Sequence, residues 1–138
     1  MPFKFEKLEV WQKALDYGDL MCELIEKLPD NERFHLKSQI KSASMSIALN
    51  IAEGSTGQTD PEQNRFLGMA LRSLIETVAC QRLAARRKYV TDTAYLEHLD
   101  LKAQEFAKGL QAFRNALSRS NQARNVKEDQ ALYDTDEI

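Results

Sequence analysis

Glycine and proline are scarce, at 5 and 3 in 138 residues. An all-β sandwich or barrel needs a turn about every 8–12 residues, so punctuation this thin excludes one and favours a few long helices. Cysteine is scarcer still. Cys22 and Cys80 stand far apart, with no CxxC and no clustered histidine, which excludes a zinc ribbon or a disulfide framework; both read as reduced core residues. No apolar run approaches the ~18 residues of a membrane span. The opening MPFKFEKLEVW carries charges where a signal peptide needs its apolar stretch, so the expected location is the cytoplasm, with no membrane partner. Neither sign of charge dominates: 19 Lys and Arg face 21 Asp and Glu, for a net charge of −2. That balance excludes a wholly basic nucleic-acid protein but leaves room for a local basic patch.

What is there is helical. Pro29, Pro61 and the polar cluster around Thr91 divide the chain into four stretches, each with a helical apolar period. The fold class expected is all-α, an up-down-up-down four-helix bundle over residues 1–118, followed by a polar tail at 119–138 that lacks sustained apolar periodicity and reads as disordered. Helix one, from about Leu8 to Leu28, places Leu8, Trp11, Leu15, Cys22 and Ile25 on one stripe, widened by Ala14, Met21 and Leu28. Asp16, Asp19, Glu23 and Glu26 form an acidic ridge on its other face. Helix two is expected from Asp30 or Asn31 through Phe34 to a stop at Gly54. Its segment SASMSIALNIA, from Ser42 to Ala52, has no charge and mostly small side chains, which predicts burial on most sides. Gln39, Ser46, Asn50 and Glu53 nevertheless share one stripe, and Asn50 and Glu53 are expected to set helix register or join helix one through hydrogen bonds. Asp60, Pro61 and Gln63 read as the cap, first position and capping box of helix three, whose apolar face holds Phe66, Leu67, Ala70, Leu71, Leu74 and Val78. Helix four keeps a heptad at Leu96, Leu99, Ala103, Phe106, Leu110, Phe113 and Leu117.

Chemistry-bearing motifs are few. A carboxylate-bridged di-iron bundle needs two Glu-x-x-His motifs, and here only Glu32 and His35 have that spacing. There is no HExxH, no GxSxG elbow, and no assembled nucleophile and base, so no catalytic residue, cofactor site or metal site is expected. Gly54-Ser-Thr-Gly57 lacks the GK[ST] ending of a P-loop and reads as a helix stop and connector. One surface stands out: Arg65, Arg72, Arg82 and Arg86 lie within about a 100° arc of helix three, extended by Arg87 and Lys88. Residues 61–90 carry six Lys or Arg against two Asp or Glu, whereas residues 1–30 carry four against seven. Three readings stay open for this ridge: a solvated face partly neutralised by Glu76, a subunit contact against an acidic helix one, and a nucleic-acid site.

Phe5, Leu8, Val10, Trp11, Gln12 and Ala14, the run QIKSASMSIALNIAEG from Gln39 to Gly54, and Arg65, Phe66, Leu67, Ala70, Ser73, Leu74 and Glu76 resemble the bacterial four-helix-bundle family named for large-subunit ribosomal RNA intervening sequences. The resemblance covers about residues 3–118. It marks Gln39, Ser46, Asn50, Glu53, Gly54, Ser73 and Glu76 as the structural family motif. It implies a homo-oligomer, typically a pentameric barrel, without defining a reaction, and the expected function is action through surfaces toward RNA or DNA; the net charge of −2 and the polar tail are also consistent with a protein-interaction scaffold that binds no nucleic acid. Two positions depart from the pattern. Ser42 stands where a second basic residue often follows Lys41, and Arg72 where Gly commonly precedes the serine, which moves positive charge onto helix three.

Overall fold

A computed structural model describes residues 3–57 and 59–136, with side chains through residue 131. It is an all-α bundle of four helices: α1 (Glu9–Lys27), α2 (Leu36–Gly54), α3 (Asp60–Arg86) and α4 (Thr93–Asp136), with short 3-10 turns at Lys4–Lys7 and Asp30–Glu32. Helices adjacent in sequence pack against one another and α1 closes the ring on α4, leaving α1 diagonal to α3. Cross-helix pairs give the directions. Gly54 meets Phe66 and Ser46 meets Ser73 between α2 and α3, Arg82 meets Asp100 between α3 and α4, and Lys27 lies over Tyr95 between α1 and α4. The order is therefore up-down-up-down.

The core side of α1 is Val10, Ala14, Tyr17, Met21, Leu24 and Leu28, so that of the stripe expected only the widening residues Ala14, Met21 and Leu28 are fully buried. Leu8, Trp11 and Ile25 are half-buried, while Leu15 and Cys22 are exposed. Two apolar lines share this helix about 100° apart, and the tyrosine on the inner one disguised it. Cys80 is buried as expected.

α2 starts later than expected. Asp30–Glu32 forms a separate 3-10 turn, His35 has φ −121° and ψ −97°, and Phe34 stays exposed. Glu32 is held there by Arg87 at 3.3 Å. Nor is α2 buried on most sides, since Met45 and Leu49 are 55% and 56% exposed within the single chain. No glycine among the described residues has positive φ, so Gly54 does not stop α2 with a left-handed turn. A Cβ there would stand 2.9 Å from Phe66 Cβ, and the missing side chain lets α2 and α3 close together.

Thr59, not Asp60, caps α3: its side chain accepts the Glu62 N–H, so the sequence box is Thr-x-x-Glu. Asp60 is instead the first helical residue, and Gln63 is buried. At the other end, Lys88 takes φ 62°, with Tyr89 N–H donating to Ala84 O and Lys88 N–H to Ala85 O. That is a Schellman ending built on lysine in place of the usual glycine. Asp92 then caps α4 by accepting the Tyr95 N–H.

Leu99, Ala103, Phe106 and Leu110 of the α4 heptad are buried, and Leu96, Phe113 and Leu117 are half-buried. The tail expected to be disordered from 119 is helical to Asp136; residues 137–138 lie outside the described residues. No glycine follows Gly109 and no proline follows Pro61, so nothing in the backbone chemistry stops the helix. The absence of apolar periodicity correctly signals that this stretch leaves the core, since all but one of residues 118–131 are exposed.

Candidate nucleic-acid interface

The expected ridge divides into two classes. Arg82 donates to Asp100, holding that carboxyl below its usual range through the hydrogen bond first and the adjacent charge second. Arg87 is bonded to Glu32. These two guanidiniums are neutralised. Arg65, Arg72, Arg86 and Lys88 are exposed and enter no ion pair among the described residues; Arg65 lies 4.9 Å above the Phe66 ring.

α4 adds a residue that helical phasing of α3 alone could not reach. Arg114 Nε donates to Asn64 Oδ1 at 2.7 Å, while Asn64 Nδ2 donates to Arg114 O and Ser118 Oγ, both at 3.0 Å. The guanidinium lies on Gly68, where a Cβ would come within 3.1 Å of Nη2. Its partner is a neutral amide, so it is fixed in place with its charge intact. Gly68 on a helix otherwise rich in long side chains was the available signal, meaningful only once α3 and α4 are known to be neighbours. Arg65, Arg72 and Arg114 together line an open groove of about 510 Å³ floored by Leu71 and Ile75. The cluster is smaller than the expected ridge, centred one end nearer the start of α3, and shared between two helices.

The family-motif residues lie elsewhere. Asn50, nearly buried, donates to Ser46 O and Ser46 Oγ at 2.8 and 3.0 Å, and Ser73 Oγ donates to Ser46 Oγ at 3.0 Å. Ser46 thus joins α2 to α3, while the bonds of Asn50 stay within α2 and do not reach helix one. Gly54 completes that seam, whereas Gln39, Glu53 and Glu76 are exposed.

A second polar constellation escaped the sequence. Thr77 Oγ1 donates to Leu74 O, leaving its lone pairs for the Tyr17 hydroxyl at 2.7 Å; that hydroxyl accepts from Gln81 Nε2 at 2.8 Å. Burial raises the Tyr17 phenol above its ordinary range, and the bonds to Thr77 and Gln81 offset part of the rise. An open groove of about 360 Å³ between α1 and α4 has Tyr17, Leu20 and Phe106 at its floor and Lys13, His98 and Glu105 among its walls. Among the described residues no group of three His, Cys, Asp or Glu comes together to hold a metal, and no helix is long and apolar enough to cross a membrane.

Residues 6–112 match a protein family described as 23S rRNA-intervening sequence protein. A solved structure of a protein with unknown function from the S23 ribosomal protein family of Bacteroides thetaiotaomicron is similar, with a TM-score of 0.68 and 27% identity over 76% of this chain and 97% of that one. No curated protein matches.

Proposed function

The chain belongs to the 23S rRNA-intervening sequence protein family, and from that premise we propose that it is a cytoplasmic, non-catalytic homo-oligomer that presents arginines of α3 and α4 to the phosphates of RNA or DNA. One observation carries this reading: Arg82 and Arg87 are neutralised by Asp100 and Glu32, while Arg65, Arg72, Arg86 and Arg114 have no acidic partner among the described residues. Guanidiniums suit phosphate because their donors are planar and paired. Arg114, fixed by Asn64 and seated on Gly68, loses little freedom on contact. Self-association is supported by apolar surface on the outer sides of α1 and α2, where Leu15, Met45 and Leu49 are 42%, 55% and 56% exposed and the centre of α2 carries no charge. A symmetric assembly, with five copies the number favoured by the family resemblance, repeats the arginine cluster and gains affinity by multivalency.

The same apolar surface favours a second reading, a protein-interaction scaffold that binds no nucleic acid. Equilibrium binding of the full chain to a structured ribosomal RNA fragment and to duplex DNA, from about 50 to 200 mM salt, separates the two. The phosphate reading expects binding to both, with little sequence preference and a linear fall of log affinity with log salt. Absence of binding to either at the lowest salt favours the scaffold.

A further inference from the structure

α4 is 44 residues long, whereas α1 and α2 have 19 each. At 1.5 Å per residue it spans about 66 Å against about 28 Å, so its last turns run beyond the bundle. Arg124, bonded to Asp60 at 3.1 Å, is the last described residue of α4 to ion-pair with another helix. The charge then changes sign. From Glu128 onward the sequence holds Glu128, Asp129, Asp134, Asp136 and Glu137, no Lys or Arg, and the apolar Leu132 and Tyr133. Residues 128–131 are exposed.

The groove of Arg65, Arg72 and Arg114 has the complementary character, three guanidiniums over a floor of Leu71 and Ile75. Within one chain the helix carries the acidic end away from it: Asp129 lies fifteen residues past Arg114, about 22 Å further along the axis. A second copy has no such constraint. We propose that the acidic end of α4 from one copy docks in the Arg65–Arg72–Arg114 groove of another. Carboxylates meet the guanidiniums in paired, charge-assisted hydrogen bonds. Each contact is weak, exposed and screened by salt, and a symmetric assembly multiplies it. The proposal stands on the groove and the helix end, not on nucleic-acid binding; where phosphate uses the same arginines, the acidic end is its competitor.

A carbodiimide couples amines to carboxylates but leaves arginine untouched, which makes the contact readable. Two full-length versions carrying different tags are co-expressed and purified through both tags. One has Arg72→Lys together with Glu128→Gln, Asp129→Asn, Asp134→Asn, Asp136→Asn and Glu137→Gln; the other keeps Arg72 and the acidic end. A cross-link from position 72 assigned to the side chain of Glu128, Asp129, Asp134, Asp136 or Glu137 can then form only between copies. Arg72→Lys with the native acidic end, expressed alone, reports either geometry. The proposal expects the between-copy cross-link by mass spectrometry, lost at about 0.5 M salt. The Lys37–Asp30 pair, 3.5 Å apart with Asp30 exposed and Lys37 half-buried, provides the internal control. Failure of the two versions to co-purify overturns the proposal. So does a cross-link confined to the single-version sample, which places the contact within one chain, or its absence from both samples while Lys37 couples to Asp30.

Discussion

Tyr17 joins the two diagonal helices through the centre of the bundle. Its hydroxyl donates to Thr77 and accepts from Gln81, itself 2% exposed, and its ring lies 5.7 Å from that of Phe106. Removing the hydroxyl strands a buried amide donor, so Tyr17→Phe should lower unfolding free energy by about 1–3 kcal/mol, measured by urea denaturation near neutral pH. The alkaline limb follows from burial. Burial raises the Tyr17 phenol above its ordinary 10.0 and the Cys80 thiol above its ordinary 9.0, so the folded protein holds these protons more tightly than the unfolded chain. The unfolded chain therefore deprotonates first, and stability falls as pH rises through about 9 and then 10. Tyr17→Phe should flatten the second part of that fall; an identical slope in both proteins would show that Tyr17 does not titrate differently on folding. This network was hard to read in advance because a tyrosine on α1 and a threonine and a glutamine on α3 look like surface residues until the phase of α1 is fixed by Val10, Ala14, Met21 and Leu24. Asn50 was legible, since an amide inside a charge-free run must find a partner. Glu53, on the same stripe, sits far enough round the last turn of α2 to reach solvent.

At the scale of elements, the α2–α3 seam depends on close approach. Gly54→Ala puts a methyl group 2.9 Å from Phe66 Cβ, which is anchored to the α3 backbone and cannot rotate away. Separating the helices should cost about 1–3 kcal/mol, visible as a lower melting temperature. Unchanged melting would mean that the seam has slack. The four helices themselves were legible because three scarce breakers and four apolar periods agree. Their ends were less so. Thr59 competes with Asp60 for the cap of α3, and the continuation of α4 past Leu117 is a matter of what is missing, since a polar sequence without glycine or proline remains helical when extended from a packed seed. The arginine cluster was half legible: Arg65 and Arg72 follow from α3 periodicity, but pairing of Arg82 by Asp100 and recruitment of Arg114 are properties of helix neighbours.

The whole molecule is a bundle with a closed core and two kinds of open surface, apolar on α1 and α2 and cationic on α3 and α4. The first predicts association. Light scattering across a concentration series should give a fixed multiple of the 15.8 kDa chain, with five the expected number; a concentration-independent mass of 15.8 kDa would remove the multivalency on which weak contacts rely. The second surface makes the functional claim, and it is tested most directly by comparing unpaired with paired arginines on the same assembly. RNA affinity across a salt series should fall at least about tenfold at low salt in Arg65→Gln/Arg72→Gln, with a shallower salt slope, while Arg82→Gln, already neutralised by Asp100, stays within about twofold of the parent. Equal binding by the parent and the double variant, both folded and equally assembled, would contradict the account.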